Sequence, residues 1–256
     1  MQTNLASFIR DTPEGKEADS ILRACIHCGF CTATCPTYQL LGDELDGPRG
    51  RIYLMKEMLE GAKPGETTRL HLDRCLTCRA CETICPSGVR YGRLLDIGRS
   101  VLDQEAPRPL GERLTRAALR FGLTRRRLFT PLLRTGQAAR KLLPGALARK
   151  IPARHKASRW PSPRHARKML VLNGCVQPAF APNINAAAAR VLDRLGISLV
   201  RAKRAGCCGA ISYHLAARDE ARDFAKRNVR AWQSYVSQGA EAIVSTASGC
   251  GVMLKE

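Results

Sequence analysis

The chain has 256 residues, 12 cysteines and a formal net charge of +20. It is long enough for two modest domains, each with a core of its own. No run of eighteen apolar residues occurs, and the N-terminal segment lacks the basic-then-apolar pattern of a signal peptide. We therefore expect a cytoplasmic protein, in which the cysteines serve metal or redox chemistry rather than a disulfide framework.

Two stretches of the chain repeat one cysteine spacing. "CIHCGFCTATCP" at residues 25–36 and "CLTCRACETICP" at residues 75–86 both follow C-x2-C-x2-C-x3-C-P. Bacterial ferredoxins bind [4Fe–4S] clusters through this spacing, and the fourth cysteine of each stretch ligates the other cluster. The pattern predicts two crossed ligand sets. They are Cys25, Cys28, Cys31 and Cys85 for one cluster, and Cys75, Cys78, Cys81 and Cys35 for the other.

Zinc is the alternative to iron at these cysteines. Zinc sites usually join two C-x2–4-C pairs across a longer loop, and evenly spaced cysteine triplets fit that arrangement poorly. Eight thiolates already complete two clusters, so His27 is expected to be an exposed neighbour rather than a ligand. Arg79 is expected to place positive charge beside a cluster and thereby to raise its reduction potential.

An unusually long insert separates the two cysteine stretches. Between Cys35 and Cys75 lie 39 residues, in which Ile52, Met55 and Leu59 recur at helical spacing. The segment "ETTRLHLDRC" predicts a second, shorter helix that leads into the later cysteines. We expect an α-helical ferredoxin domain with two [4Fe–4S] clusters over residues 1–100.

The middle of the chain is strongly basic. Residues 101–170 contain 18 Lys or Arg against three acidic residues. We interpret residues 101–167 as a basic linker with short helices. Its surface could be solvated or cover an acidic partner, or it could rest on anionic lipid as an amphipathic helix. Nucleic acid is a third option, but aromatic residues are sparse and no recognised motif occurs, so we expect no nucleic-acid partner.

Residues 168–256 predict a second domain with a short parallel sheet. Met169–Leu172 is an apolar run typical of a buried strand, and "ISLVRA" and "EAIVSTASGCG" predict a second strand and a third strand with its turn. Helical segments separate the strands. This β-α-β-α-β order favours parallel pairing with right-handed crossovers. The chain as a whole is thus expected to be a multidomain α+β protein, with an α/β cysteine-rich domain after the ferredoxin domain.

Each predicted strand of the second domain is followed by cysteine. Cys175 follows the first strand, Cys207 and Cys208 follow the second, and Cys250 follows the third. The carboxyl ends of parallel strands share one edge of a sheet, so these thiols are expected to converge. Ordinary buried cysteines and a strained disulfide between the adjacent pair are the alternatives. The glycine-flanked pair favours a further cluster or a redox site.

These features together resemble a known family. The twin cysteine stretches, the "GDELDGPRGRIYLMKEML" insert and the later "RAGCCGA" and "SGCGVMLKE" segments look like the iron–sulfur subunit of bacterial glycolate oxidase (glycolate dehydrogenase). The likeness covers nearly the whole chain. Similar combinations occur in subunits of lactate-utilisation enzymes, anaerobic glycerol-3-phosphate dehydrogenases and heterodisulfide reductases.

The resemblance implies an electron-transfer role. Companion subunits of such a complex bind FAD and oxidise glycolate to glyoxylate, and this subunit passes the electrons toward membrane quinone. The chain alone is expected not to be catalytic, since it contains no G-x-G-x-x-G motif. The implied location is the inner face of the cell membrane. The alternatives are an electron-transfer subunit of a lactate or glycerol-3-phosphate dehydrogenase, or a heterodisulfide-reductase-like subunit with its own thiol chemistry.

The resemblance also bears on the cysteine-rich domain. In heterodisulfide reductases such a domain binds an unusual iron–sulfur cluster, which implies Cys175, Cys207, Cys208 and Cys250 as ligands here. The related motif often ends C-x-x-C, whereas Met253 stands at that spacing after Cys250. The domain also normally occurs twice, so we expect this chain to be truncated after its first copy.

Overall fold

The computed structural model describes residues 1–255, which form two compact units. The first unit is Met1–Pro109 and the second begins at Leu110. The predicted domain limits at residues 100 and 167 stay predictions.

The first unit is built from helices and short turns. A Pro stands at the first position of three of its helices, where the missing N–H costs no hydrogen bond. The helices are α1 (Ser7–Arg10), α2 (Pro13–Ala24), α3 (Pro36–Leu41), α4 (Pro48–Leu59), α5 (Glu66–Asp73), α6 (Ala80–Thr83) and α7 (Tyr91–Glu105), with 3-10 turns at Phe30–Thr32 and Glu44–Asp46. The insert between the cysteine stretches is therefore helical, as predicted.

The core of the first unit lies between α2, α4 and α7. Ile52, Met55 and Leu59 are at most 3% exposed, so the predicted helix face is the buried face. A Cβ on Gly98 of α7 would lie 2.6 Å from the Met55 sulfur, which shows how closely α4 and α7 approach. On the outer side, the Glu17 carboxylate of α2 pairs with the Arg93 guanidinium of α7 at 2.7 Å.

The second unit contains eight helices and three strands among the described residues. The helices are α8 (Leu110–Thr124), α9 (Arg126–Ala139), α10 (Gly145–Lys150), α11 (Gln177–Phe180), α12 (Pro182–Arg194), α13 (Ala210–His214), α14 (Arg218–Ser237) and α15 (Ser248–Lys255). The strands are β1 (Arg167–Val171), β2 (Ile197–Arg201) and β3 (Ala240–Val244). A further 3-10 turn spans Arg140–Leu142.

The three strands form one parallel sheet in the order β2-β1-β3. The predicted parallel sheet is confirmed. The prediction of a turn at Cys250 is wrong, because β3 ends at Val244 and Cys250 lies in α15. Helical spacing places Cys250 and Met253 on one face, and both pack against the buried cluster that contains Trp232.

The basic segment is more regular than predicted. Instead of short helices it contains α8 and α9, which have 15 and 14 residues. Several apolar side chains of α8 are exposed, including Leu114 at 69% and Phe121 at 54%. Among residues 1–255, no helix is long and apolar enough to cross a membrane.

Candidate iron–sulfur and thiol sites

The eight cysteines of the two stretches line two neighbouring cavities of the first unit. We call them the first cysteine pocket and the second cysteine pocket. Thiols of the first cysteine pocket belong to Cys25, Cys28, Cys31, Cys81 and Cys85. Thiols of the second cysteine pocket belong to Cys35, Cys75, Cys78 and Cys81. Each pocket thus contains one complete predicted ligand set, including the crossing cysteine, and Cys81 and Tyr91 line both pockets.

Matching left-handed residues shape the two cysteine loops. His27 and Gly29 have φ of 56° and 83° in the first loop, and Thr77 and Arg79 have φ of 52° and 60° at the equivalent positions of the second. Three of these four residues carry a side chain, for which this conformation is strained. Strain of this kind persists where the surroundings enforce it, and ligand sites are such places. The repeated backbone bends bring cysteines spaced three residues apart to the same pocket.

The donor set of each pocket fits an iron–sulfur cluster. All eight cysteines are free of disulfides, and each pocket offers four thiols of the predicted set. Cysteine thiolates are the usual ligands of [4Fe–4S] clusters. The sequence alone left zinc open, and four sulfur ligands also suit zinc. The crossing of ligands between two adjoining pockets is the arrangement of a two-cluster ferredoxin.

His27 is not the exposed neighbour that the sequence predicted. It is partly buried and lines the first cysteine pocket. Its Nε2 atom is buried and has no hydrogen-bond partner among the described residues. Burial lowers the pKa of His27, and the N-terminal amino group and Arg49 lower it further. A neutral imidazole therefore faces the pocket. No sequence pattern signals this, because burial depends on how the loop folds.

Burial changes the acidity of the pocket thiols. It raises the pKa of Cys81 to about 12, and it also raises the pKa values of Cys25 and Cys31. Free thiols in these positions are protonated at neutral pH. Iron binding at such thiols requires release of their protons.

A buried charge network adjoins the second cysteine pocket. Arg51 and Asp46 are 1% and 0% exposed, and Arg51 Nη2 lies 3.2 Å from Asp46 Oδ1. His71 Nδ1 lies 3.0 Å from the same oxygen, and Arg74 Nη1 donates to Asp46 Oδ2 at 2.9 Å. The sequence interpretation treated this "LDGPRGR" segment as a plain loop. A Pro-Arg-Gly-Arg run at a helix start offered a signal for a buried arginine, but its partners come from distant positions.

Arg79 lies where the sequence predicted, beside the second cysteine pocket. Its Nε atom pairs with Glu82 Oε2 at 2.8 Å. The positive charge is therefore largely balanced by a neighbouring carboxylate, which weakens the predicted effect on a cluster.

The four thiols of the second unit come together, as their positions after the strands predicted. Cys175, Cys207 and Cys208 are buried and Cys250 is partly buried. The sulfur atoms of Cys208 and Cys250 lie 3.2 Å apart, and the Cys207 thiol is hydrogen-bonded with both Cys175 and Cys208. We call these four thiols the cysteine-rich site.

Hydrogen bonding within the cysteine-rich site makes its thiols unequal. Bonds with Cys207 and next with Cys250 lower the pKa of Cys208, and the bond with Cys207 lowers the pKa of Cys175. The same bonds raise the pKa values of Cys207 and Cys250. Cys208 is thus the most acidic thiol of the site. Thiolates are the nucleophiles and metal ligands of cysteine chemistry.

Asn228 of α14 holds the loop that carries the adjacent cysteine pair. Its Oδ1 accepts from Gly206 N at 2.8 Å and its Nδ2 donates to Cys207 O at 2.8 Å, and the residue is 2% exposed. Gly209 has φ +96°, and a Cβ there would lie 2.9 Å from Ala221 O. The loop therefore needs both the clamp and the glycine.

A second polar cluster joins the other loops at this edge of the sheet. Asn185, which is 3% exposed, accepts from Thr246 Oγ1 at 2.5 Å and donates to Asn173 Oδ1 at 3.1 Å. Gln177 Nε2 donates to Thr246 Oγ1 at 2.6 Å. These bonds tie the loop after β1, which precedes Cys175, to the loop after β3, which precedes Cys250. The sequence interpretation missed both amide clusters, because their residues are scattered along the chain.

Comparison with protein families matches both parts of the chain. Residues 21–89 match the model of the 4Fe-4S dicluster domain, and residues 169–255 match that of the cysteine-rich domain. The chain contains both domain families. No solved structure matches it.

Relatives along the whole chain support the predicted resemblance. The chain is 57% identical, over all of its length, to the glycolate oxidase iron–sulfur subunit of Escherichia coli, and it spans 63% of that protein. It is 32% identical to the probable glycolate oxidase iron–sulfur subunit of Bacillus subtilis over 91% of this chain and 58% of that one. The resemblance to this subunit is confirmed.

A more distant relative has a different chemistry. The dihydromethanophenazine:CoB–CoM heterodisulfide reductase of Methanosarcina barkeri contains a polypeptide that is 24% identical over 90% of this chain and 56% of its own length. The chain thus spans less than two thirds of each of these relatives.

Proposed function

We propose that the chain is the iron–sulfur electron-transfer subunit of a glycolate oxidase (glycolate dehydrogenase) complex. The observation that carries this proposal is the presence of one complete crossed thiol set in each of two adjoining pockets. The similarity to glycolate oxidase iron–sulfur subunits supports the choice of substrate. Glycolate itself is oxidised by FAD-binding subunits of the complex, not by this chain.

Two [4Fe–4S] clusters, bound by the predicted cysteine sets, would supply a one-electron relay between flavin and membrane quinone. The chain's own residues hold the thiols in place and limit access of water. Cys25, Cys35 and Cys81 are each at most 8% exposed, whereas Cys28 and Cys78 are exposed. Each pocket therefore has a buried side and one ligand near the surface, where an electron can enter or leave.

The cysteine-rich site is proposed to hold a further iron–sulfur centre or to act as a redox site. Its four thiols form one connected group, and Cys208 is already poised as a thiolate. The amide clusters around Asn228 and Asn185 fix the loops that present these thiols. Such rigid support is expected of a ligand site rather than of ordinary core cysteines.

The basic surface of α8 and α9 is proposed to face the cell membrane. Exposed Leu114 and Phe121 of α8 stand beside exposed arginines such as Arg113 and Arg125. Apolar and basic side chains together suit the boundary of an anionic lipid layer. The complex would then be a peripheral assembly on the inner face of the membrane, close to quinone, with the basic segment 101–167 as its membrane-facing region.

The test is anaerobic purification of the chain with and without its co-purifying partners. The isolated chain is expected to show iron–sulfur absorbance and no glycolate oxidation. The complex is expected to contain FAD subunits and to reduce a quinone with glycolate. A complex that oxidises lactate or glycerol 3-phosphate instead would overturn the substrate, and glycolate turnover by the isolated chain would overturn the electron-transfer role.

A second candidate function is thiol chemistry of the chain itself, as in a heterodisulfide-reductase-like subunit. The 3.2 Å separation of the Cys208 and Cys250 sulfurs favours it, because these two thiols are close enough to exchange with a disulfide. A paramagnetic centre that responds to an added disulfide would support this candidate. Unchanged activity of the complex after Cys208→Ala would exclude it.

A further inference from the structure

Two hydroxyl groups contact thiols of the second cysteine pocket. The Tyr91 hydroxyl donates to Cys75 Sγ at 3.6 Å, and Tyr91 is 4% exposed. Thr37 Oγ1 lies 3.2 Å from Cys35 Sγ. Cys75 and Cys35 belong to the same predicted ligand set, although 39 residues separate them in the chain. Two distant parts of the sequence therefore direct hydroxyl groups toward one cluster site.

The first predicted set has no equivalent. Among residues 1–255, no side-chain donor is hydrogen-bonded to a thiol of that set. The four thiols without such a bond are Cys25, Cys28, Cys31 and Cys85. Side-chain hydrogen bonding to sulfur is thus confined to one of the two cluster sites.

A buried guanidinium strengthens the asymmetry. Arg51 Nη1 donates to Thr37 Oγ1 at 3.0 Å and lies 4.0 Å from Cys35 Sγ. Bonds to the His71 carbonyl at 2.7 Å and to Asp46 Oδ1 at 3.2 Å fix this guanidinium in place. Arg51 can only donate, so the Thr37 oxygen accepts from it and the Thr37 proton is left for another acceptor.

The Thr37 proton has two acceptors within reach. The Asp46 carbonyl oxygen lies at 2.8 Å and Cys35 Sγ at 3.2 Å. A thiolate that binds iron carries negative charge, and hydrogen bonds to charged acceptors are the stronger ones. Ligation by Cys35 therefore favours donation to its sulfur.

Donors of this kind act on reduction potential. Reduction adds negative charge to a cluster and its sulfur ligands, and hydrogen bonds to those sulfurs stabilise the reduced form more than the oxidised form. We propose that Tyr91 and the Arg51–Thr37 pair raise the reduction potential of the cluster bound by Cys35 and Cys75, and not that of its neighbour. This inference rests on the proposed function, because it requires both clusters and their crossed ligands.

The experiment is an anaerobic redox titration of the iron-loaded full chain, followed by electron paramagnetic resonance. Tyr91→Phe and Thr37→Val each remove one hydroxyl and keep the shape of the side chain. Each substitution is expected to lower the midpoint potential of the same one of the two cluster signals. The expected change in its reduction equilibrium is about tenfold, or about 59 mV for one electron. The other signal is expected to stay unchanged.

Matched controls separate this effect from general disturbance. Tyr53→Phe removes a hydroxyl from a residue that is 49% exposed on α4. Thr32→Val removes a hydroxyl that donates to the Gly29 carbonyl rather than to sulfur. Both controls are expected to leave both potentials unchanged. Arg51 is left intact because its burial and its ion pair with Asp46 make it a folding residue.

Three results would overturn the inference: unaltered potentials, equal shifts of both signals, or shifts of different signals by Tyr91→Phe and Thr37→Val. Iron analysis of the same samples separates this failure from failure of the proposed function. An iron-loaded chain with unaltered potentials refutes only the role of these donors. A chain that binds no iron refutes the proposed function and this inference with it.

Discussion

The sulfur atoms of Cys208 and Cys250 lie 3.2 Å apart, although one residue belongs to the loop after β2 and the other to α15. Both pack against the buried cluster that contains Leu170 and Trp232. The sheet and its following helices therefore bring together two thiols that are 42 residues apart. This contact defines the cysteine-rich site.

The first prediction concerns what this site binds. Cys208→Ala and Cys250→Ala are expected to lower the iron content of the anaerobic chain while both ferredoxin-type signals stay intact, since each removes one ligand of the further centre. Iron analysis and electron paramagnetic resonance measure this. Met253→Leu on the same helix as Cys250 is the control and is expected to retain full iron content. Equal iron in the parent chain and all three variants would mean that the site holds no iron.

The second prediction concerns the Asn228 clamp. Asn228→Ala removes hydrogen bonds to Gly206 N and Cys207 O, and leaves these buried backbone groups unpaired. The expected loss in the free energy of unfolding is about 2 kcal/mol. Urea unfolding followed by tryptophan fluorescence measures it. Gln233→Ala, at an exposed position of the same helix, should change stability by no more than about 0.5 kcal/mol. Equal stability of the two variants would contradict the clamp.

The third prediction concerns Gly209. A Cβ at this position would lie 2.9 Å from Ala221 O, and the backbone φ of +96° disfavours any side chain. Gly209→Ala is expected to destabilise the second unit by about 2 kcal/mol or more. Gly249→Ala is the matched control, because a Cβ there has no neighbour within 4 Å. Thermal unfolding of both variants should show the loss for Gly209→Ala alone.

The fourth prediction concerns pH dependence. The hydrogen bond from Arg93 holds the pKa of Glu17 below its ordinary value of 4.5, so the charged form of Glu17 stabilises the fold. This stabilisation is present above about pH 4.5 and is lost as pH falls through the lowered pKa. Glu17→Gln is therefore expected to unfold more easily than the parent chain by about 1 kcal/mol at pH 7.

The difference between Glu17→Gln and the parent chain should shrink below pH 4.5. Urea unfolding at a series of pH values checks this. Glu57→Gln, at an exposed position of α4, controls for acid effects on the rest of the molecule. A difference that is independent of pH would show that the ion pair with Arg93 does not contribute through charge.

Local patterns predicted much of the molecule. The cysteine spacing indicated which thiols share a pocket, because ligands three residues apart on a bent loop can reach one point. Helical spacing identified Ile52, Met55 and Leu59 as core residues, and the alternation of strands and helices predicted the parallel sheet. In each case the signal lies within a few neighbouring residues.

Long-range contacts escaped prediction. Arg51 meets Asp46, His71 and Thr37 only in the folded chain, and Asn228 reaches the Cys207 loop from 21 residues away. The burial of His27 likewise depends on the fold of its loop. The prediction of short helices in the basic segment failed because the helical spacing of apolar residues that begins at Leu114 continues through full amphipathic helices.

Iron and sulfide analysis of the anaerobically purified chain, with Mössbauer spectroscopy, tests the central claim most directly. Crossed ligation of two [4Fe–4S] clusters predicts at least about eight iron atoms and about eight sulfides per chain, with the spectrum of cubane clusters. A colourless chain, or one that holds zinc at the two cysteine pockets, would contradict the account.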